Sequence, residues 1–259
     1  MRRYSIGEVA AICGINPVTL RAWQRRYGLL KPQRTEGGHR LFDDEDLARI
    51  RTILTWIERG VPVGQVRALL ENGGEVEQVG DGWAQLTDAL LVALQGGQLN
   101  RLRQMLNEYG REYPAGQLVD QVLRPLRARL ASGNVQLLTL RSLLDGLLLE
   151  YAAFCLTAGR KTPGEHLMII GWGRADRADL WLEGLKRSEA GARVEVLTEP
   201  LAAPQLEPLL CDRFVLWSEG RLSPAQQQQF LAWQAQGLNV ELMGSAATLQ
   251  SDDSGLPAQ

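Results

Sequence analysis

The spacing of hydrophobic and polar positions at the start of the chain predicts two short helices. The spacing Ser5-x-x-Glu8 is typical of a helix N-terminus, because each side chain can bond the backbone amide of the other residue. It predicts a helix that begins at about residue 6 and ends at Gly14. Asn16-Pro17 then predicts a second helix, running to about Tyr27-Gly28. Two helices joined by a short glycine-containing turn indicate a helix-turn-helix.

The second helix has two different sides. At about 100° per residue, Leu20, Trp23 and Tyr27 fall on one side, which we expect to pack on the first helix. The opposite side carries two arginines separated by small residues, so it can approach a surface while the guanidinium groups reach phosphates or guanine edges. The residues predicted to face a DNA major groove are Val18, Arg21, Ala22 and Arg25, with Thr19 and Arg26 near the adjoining backbone.

A basic hairpin is predicted next to this helix. Residues 29–42 contain Pro32 and the pair Gly37-Gly38, which favour a turn between strands over a helix. A two-stranded wing of this kind can follow a DNA backbone and position the protein on it. The flanking residues expected to hold phosphates are Lys31, Arg34, His39 and Arg40. An ordinary surface histidine is the alternative for His39.

Two more helices complete a predicted first domain of residues 1–72. The acidic run Asp43–Asp46 suits a helix N-terminus, and apolar residues continue from Leu47 to Ile57 with helical spacing. Pro62 is expected to begin a fourth helix that ends near Glu71. Asn72-Gly73-Gly74 is a plausible linker.

The pattern of the remaining chain changes once more. Residues 80–160 are leucine-rich with helical periodicity, and breaks at Gly96-Gly97, Tyr113-Pro114 and residues 132–134 predict about four helices in a bundle. From residue 164 to 244, short apolar runs alternate with helical stretches, which predicts a doubly wound, Rossmann- or flavodoxin-like parallel sheet. Residues 245–259 are expected to form a flexible tail. The fold class is therefore mainly α with a C-terminal α/β domain.

The charge distribution adds information that the total hides. The chain has 259 residues, 45% hydrophobic and 22% charged, which excludes disordered and fibrous classes. Its net charge of -2 gives no hint of a nucleic-acid partner. However, the first 42 residues hold eight basic and two acidic side chains, so this segment is +6 and the remaining 217 residues are -8. Such a concentration of basic residues favours DNA contact through the first segment.

The chemistry-bearing residues argue against a metal site and against an enzyme. Cys13, Cys155 and Cys211 are far apart and are expected to be reduced thiols, and the two histidines, His39 and His166, are isolated. The sequence contains no nucleophile elbow, P-loop or zinc motif. No apolar run approaches the roughly 18 residues of a membrane span, and no signal-peptide core follows the N-terminus. We therefore expect a cytoplasmic protein with no membrane partner, cofactor or catalytic site.

Three segments together resemble a known family. Residues 4–10 (YSIGEVA), residues 19–29 (TLRAWQRRYGL) and residues 37–42 (GGHRLF) look like the winged-helix DNA-binding domain of MerR-family transcription regulators. The form of the second segment resembles the branch that contains cobalamin-dependent light sensors and a biofilm activator. The resemblance implies a homodimer that binds an over-long promoter spacer and distorts it so that RNA polymerase can engage. For the biofilm branch it also implies control of curli and cellulose matrix genes, with cyclic-di-GMP turnover enzymes as possible partners.

The resemblance also suggests a cobalamin-binding domain, but its signature residues are missing. The family's loop after the first strand carries Asp-x-His-x-x-Gly, whereas residues 171–179 read GWGRADRAD without a histidine. If the ligand position is Asp176, then Asp179 stands where the family has glycine. The Glu-His pair of the family's bundle corresponds to Glu150-Tyr151, so a second histidine is missing too. The domain is therefore interpreted as a degenerate effector module that serves protein contacts.

Two other hypotheses remain open at this stage. A cobalamin- or nucleotide-responsive sensor is one of them, because Gly171-x-Gly173-x-x-Asp176 nearly matches a dinucleotide fingerprint and fails only at the third glycine. The ordinary alternative for these glycines is a turn between strand and helix. The second hypothesis is an interaction adaptor with no specific DNA site.

Overall fold

The chain divides into two units, Met1–Leu147 and Leu148–Gln259, which are described separately. The structure is a computed structural model that describes residues 3–34, 40–71, 81–132 and 134–254; for Arg34 and residues 251–254 it describes the backbone alone.

The first two helices of the first unit begin and end as the sequence predicts. Helix α1 (Ile6–Cys13) begins with a reciprocal capping box between Ser5 and Glu8 and ends at Gly14, whose φ of 65° is the left-handed conformation that glycine adopts without strain. Helix α2 (Pro17–Arg26) begins after Asn16, whose side chain accepts the amide of Val18. The predicted helix-turn-helix is confirmed.

A short antiparallel wing follows. Strand β1 (Gln33–Arg34) pairs with β2 (Arg40–Leu41). The predicted turn at Gly37-Gly38 and the residue His39 lie outside the described residues. Helix α3 (Asp44–Glu58) begins with a capping box between Asp43 and Asp46, as expected from the acidic run. Helix α4 (Val63–Glu71) completes this part, and the predicted linker at residues 72–74 also lies outside the described residues.

Four helical stretches form the bundle of the first unit. Helices α5 (Gly82–Gln95) and α6 (Leu99–Glu112) are separated at the predicted Gly96-Gly97 break. The third stretch consists of α7 (Ala115–Leu118), a π-helical turn (Val119–Leu123) and α8 (Arg124–Ala131). The fourth is α9 (Val135–Gly159), whose residues from Leu148 onward belong to the second unit. The predicted number of helices and the breaks between them are confirmed.

Helix α9 is the one described helix whose length and composition would allow it to cross a membrane. It has 25 residues, a mean hydropathy of 1.3 over its most apolar window, and 28% of that window is buried. The sequence expectation considered uninterrupted apolar runs, and α9 meets the criterion only as an average, because Arg141, Asp145 and Glu150 interrupt it. A single helix of this kind is weak evidence of a membrane span, since core helices of globular proteins meet the same criterion.

A four-stranded parallel sheet forms the centre of the second unit. Its strands are β3 (His166–Gly171), β4 (Arg193–Val196), β5 (Arg213–Trp217) and β6 (Val240–Met243), in the order β4-β3-β5-β6. All neighbouring strands are parallel, as the alternation of strands and helices predicted. In this order the chain reverses direction across the sheet between β3 and β5, which is the topological switch point of doubly wound folds.

Alternate residues of the strands pack into two separate hydrophobic cores, one on each face of the sheet. Ile169 and Val215 pack with Leu180 of helix α10 (Arg177–Glu189) on one face. Ile170 and Leu216 pack on the other face with helix α11 (Pro224–Ala235). Each strand thus contributes to both faces because its side chains alternate.

The end of the chain differs from the sequence expectation. Residues after Gly244 were expected to be a flexible tail, but Ser245–Ser254 form helix α12. Ala246 is 1% exposed and joins the core that contains Trp172 and Trp233. Among the described side chains of this helix, the one that joins that core is small, so the sequence showed no clear apolar periodicity here.

Candidate nucleic-acid interface

The exposed side of α2 carries the predicted contact residues. Val18 is 43% exposed, Arg21 and Arg25 are exposed, and Ala22 is partly exposed. Trp23, on the opposite side, is fully buried, as its helical phase predicted. The helix therefore presents two cations separated by short side chains, an arrangement that allows close approach to a groove and bonding to base edges or phosphates.

Thr19 does not belong to this surface. Its side chain is 0% exposed, so the expectation that it lies near a DNA backbone is wrong. The physical reason is its position four residues before Trp23, which places both residues on the same buried side of α2. The Thr19 hydroxyl has no hydrogen-bond partner among the described residues.

Arg26 is exposed but is held by a carboxylate of the protein. Its Nη1 lies 2.7 Å from Oε1 of Glu112, at the end of α6. From the sequence, Arg26 was expected near the adjoining DNA backbone, and that contact stays a prediction. Glu112 lies 86 residues from Arg26 in the chain, and no local sequence pattern indicated that the two would pair.

The wing and α2 are joined by a direct side-chain bond. Nε of Arg40 donates to Oε1 of Gln24 at 2.5 Å, which connects β2 to α2. Lys31, before the wing, is exposed. The side chain of Arg34 and the whole of His39 lie outside the described residues, so their predicted phosphate contacts remain predictions.

Further bonds attach the wing to its neighbours. Backbone amides of Tyr4 and Phe42 donate to each other's carbonyl oxygens at 2.8 and 2.9 Å, which extends the wing toward the N-terminus. The hydroxyl of Tyr4 donates to Oδ1 of Asp44 at 2.9 Å, and Nε of Arg49 donates to the carbonyl of Leu29 at 2.6 Å. Gln24, Arg49 and Glu112 were missed by the sequence analysis, because their roles depend on contacts and not on spacing. Together these bonds support α2 and the wing as one surface.

The second unit offers a second place where a ligand could bind. In doubly wound folds, ligands bind outside the carboxyl ends of the strands at the switch point. Here the chain segments at the ends of β3 and β5 bond directly to each other. The amide of Trp172 donates to the carbonyl of Trp217 at 2.8 Å, and the amide of Glu219 donates to the carbonyl of Arg174 at 2.7 Å. Trp172 is 1% exposed, and its ring lies 5.1 Å from that of Trp233.

The glycines of this loop are explained by geometry. Gly173 has a φ of 69°, the left-handed region that favours glycine. A Cβ on Gly171 would lie 3.0 Å from Cβ of Pro200 and 3.1 Å from Cβ of Ala175. This agrees with the ordinary alternative of a tight strand-to-helix turn.

Asp176 occupies the N-terminus of α10. Its Oδ1 accepts the amides of Ala178 at 2.9 Å and of Asp179 at 3.4 Å. These amides are the groups that would bind a pyrophosphate in a dinucleotide site. With a carboxylate already there, and Asp179 beside it, the loop does not fit a nucleotide phosphate. It does not fit cobalamin either, because residues 171–179 contain no histidine and Trp172 fills the interior.

The cysteines show no sign of activation. Burial raises the pKa of the Cys13, Cys155 and Cys211 thiols, which disfavours the thiolate form that acts as a nucleophile or metal ligand. Within the described residues, no group of three or more histidine, cysteine or acidic side chains could hold a metal ion.

Comparisons with known proteins match all three regions. Residues 4–73 match the MerR HTH family regulatory protein model, residues 83–157 the helical domain of transcriptional regulator MlrA, and residues 164–240 its C-terminal domain. The chain is 47% identical over 246 residues to the HTH-type transcriptional regulator MlrA of Escherichia coli (strain K12), covering 94% of this chain and 100% of that protein. It is 46% identical, over the same shares, to MlrA of Salmonella typhimurium (strain SL1344).

A more distant relative covers less of the chain. The HTH-type transcriptional repressor CarH of Myxococcus xanthus is 32% identical over 136 residues, which is 48% of this chain and 46% of that protein. The full-length relatives are named as transcriptional regulators, a role that is not enzymatic. The chain has an N-terminal helix-turn-helix with an exposed arginine face, and the MlrA regulators match nearly its whole length. It is therefore a member of the MlrA family of MerR-type transcriptional regulators.

Proposed function

We propose that the protein is a sequence-specific DNA-binding transcription activator of MerR type. The observation that carries this proposal is the exposed side of α2, on which Val18, Arg21 and Arg25 lie together next to a wing that Arg40 joins to the same helix. Arg21 and Arg25 are assigned to base edges or closely adjoining phosphates, and Lys31 and Arg40 to phosphates. Arg34 and His39 are assigned to phosphates from the sequence alone.

The proposed mechanism is distortion of promoter DNA. A homodimer would place two recognition helices in successive major grooves, because helix-turn-helix proteins read paired half-sites about one helical turn apart. Bending an over-long spacer costs a few kcal/mol, which the contacts of both copies would offset, and would let RNA polymerase engage both promoter elements. Homodimerisation and RNA polymerase contact rest on the family resemblance.

The resemblance also motivates the finer parts of the proposal. They are a cytoplasmic location, control of biofilm matrix genes for curli and cellulose, and partners among cyclic-di-GMP turnover enzymes. The second unit would then be a degenerate effector module that serves protein contacts. Support for this role comes from the loops at its switch point, whose polar groups bond to one another.

A map of bound sites across the genome, followed by footprinting on the recovered promoters, tests the proposal. We expect protection over paired half-sites that persists at salt concentrations where random DNA is released. Protection that is independent of sequence and lost uniformly with salt would contradict the proposal and favour an adaptor with no specific site.

A ligand-responsive regulator is the second candidate, favoured by the strand order β4-β3-β5-β6, which is that of a ligand-binding doubly wound fold. Absorbance spectra with adenosylcobalamin, in the dark and after illumination, test it together with a nucleotide titration. We expect no protein-bound chromophore after gel filtration, because Trp172 is buried in the core and the Asp176 carboxylate already accepts an amide at the start of α10. A retained chromophore, or a nucleotide that changes DNA affinity, would replace the degenerate module with a sensor.

A further inference from the structure

Two hydrogen bonds attach the C-terminal half of α2 to Glu112 of the helical bundle. The indole Nε1 of Trp23 donates to the backbone carbonyl of Glu112 at 2.8 Å. The side-chain carboxylate of the same residue accepts Nη1 of Arg26 at 2.7 Å. Tyr27 adds a side-chain hydrogen bond to that carboxylate. Two residues of α2, Trp23 and Arg26, and Tyr27 directly after the helix therefore meet one residue at the end of α6.

The surroundings of this contact are packed rather than loose. Tyr113, next to Glu112, is 5% exposed, and its hydroxyl lies 3.5 Å from the backbone amide of Val63, which donates to it. The ring of Tyr113 lies 5.2 Å from that of Trp83. The amide of Gly82 donates to the carbonyl of Gly60 at 3.1 Å, so α5 is attached close by. Glu112 is therefore held in place by its own backbone neighbours.

The contact pairs the Glu112 carboxylate with the Arg26 guanidinium, and the two side chains differ in exposure. The side chain of Glu112 is only 15% exposed, whereas that of Arg26 is 46% exposed. Hydrogen bonding to Glu112 raises the pKa of Arg26. Burial raises the pKa of Tyr27, and its bond to Glu112 raises it further. Arg26 thus lies at the edge of the DNA-facing side of α2 with its charge already satisfied by the protein.

We propose that Glu112 is a positioning residue for the DNA-reading helix, one that aligns α2 through Trp23 and keeps Arg26 away from DNA phosphates. This inference rests on the proposed function and assigns Arg26 a partner other than the phosphate that the sequence predicted. It also gives the helical bundle a direct mechanical connection to the DNA surface. A shift at the end of α6 would move α2 and release the Arg26 guanidinium toward the DNA backbone.

The salt dependence of DNA affinity measures this assignment. Each phosphate neutralised by a cation contributes about 0.9 to the slope of log K against log salt concentration. We expect Glu112→Gln to steepen the slope by about 0.9 on cognate and random duplexes alike, because the freed Arg26 reaches a phosphate. Arg26→Ala alone should leave the slope unchanged, and the double variant Arg26→Ala, Glu112→Gln should return it to the parent value.

The matched control is Asp88→Asn. Asp88 accepts Nη1 of Arg129 at 2.8 Å in an exposed pair between α5 and α8, so this change removes the same charge from the first unit but frees an arginine away from α2. Its slope should equal that of the parent protein. An unchanged slope in Glu112→Gln would overturn the proposal.

A flattening of the slope by about 0.9 in Arg26→Ala alone would also overturn it, because Arg26 would then already contact a phosphate. That second variant keeps the test decisive if Glu112→Gln fails to fold, as judged by its melting transition. If the parent protein shows no preference for the recovered promoters, the proposed function fails, and this outcome is distinct from failure of the Glu112 assignment.

Discussion

The protein contains two regions that general rules identify as binding sites, and they differ in how their polar groups are used. On α2, the side chains of Arg21 and Arg25 are exposed, and Gln24 between them accepts a bond from Arg40 of the wing. At the carboxyl edge of the sheet, the Asp176 carboxylate caps its own helix and the amide of Glu219 bonds the neighbouring loop. A ligand-binding topology is therefore not sufficient, because the hydrogen-bond donors at the site must also be available.

Charge separates the same two regions. The first 42 residues are +6 and the rest of the chain is -8, so an acidic body is joined to a basic module. We expect DNA to be attracted to the module and repelled from the remainder, which favours a single orientation on the duplex.

The largest effect is expected from a paired truncation of buried tryptophans. Trp23→Ala should destabilise the first unit by about 3–5 kcal/mol and abolish promoter binding, because it removes both core packing and the bond to Glu112. Trp233→Ala should cost a similar amount in the second unit yet leave DNA affinity unchanged. Thermal melting and promoter titration measure both. Equal loss of DNA binding in the two variants would contradict the separation of roles.

Arg21→Ala tests base reading. The variant should lose about 1–3 kcal/mol of affinity on a cognate site and much less on random DNA, because a base-edge contact is lost only where the base is correct. Arg101→Ala, which removes an exposed arginine from α6, is the control and should change neither affinity. Equal loss on both duplexes would make Arg21 a phosphate contact instead.

Asp176→Ala tests whether the sheet edge is closed by its own side chain. Loss of the cap should lower stability by about 1 kcal/mol, with no change in DNA affinity. Asp176→Asn should retain most of the stability, because asparagine also caps helices. Denaturant unfolding measures the loss. A variant as stable as the parent protein would show that the bonds of Asp176 contribute little.

Lys31→Ala should give the smallest effect. Loss of one phosphate contact should weaken binding uniformly across sequences and flatten the salt slope by about 0.9. Lys161→Ala, an exposed lysine of the second unit, is the control and should leave the slope unchanged. A loss confined to the cognate duplex would contradict a backbone role for Lys31.

Local rules predicted much of the fold. The capping box at Ser5 and the Asn16-Pro17 helix start depend on residues within a few positions of one another, so the sequence displays them directly. The strands were predicted for a similar reason, since short apolar runs with intervening helices require a parallel sheet. Helix α12 was missed because its attachment through Ala246 leaves no periodic pattern.

Thr19 was placed wrongly although its burial follows from local spacing, whereas the partner of Arg26 depends on a long-range contact. The burial of Thr19 was predictable from its spacing of four residues to Trp23, which lies on the same side of α2. The bond from Arg26 to Glu112 joins two helices far apart in the chain, and no local signal encodes it. A sequence displays which residues can contact DNA, whereas the folded chain decides which of them are already occupied.

The most direct test of the central claim is a competition titration of the full chain between a recovered promoter duplex and a scrambled duplex of equal length. We expect Arg21→Ala combined with Arg25→Ala to abolish the preference for the promoter while leaving weak, salt-sensitive binding to both duplexes. A preference that survives in this double variant would show that sequence is read elsewhere, and would contradict the assignment of α2 as the reading helix.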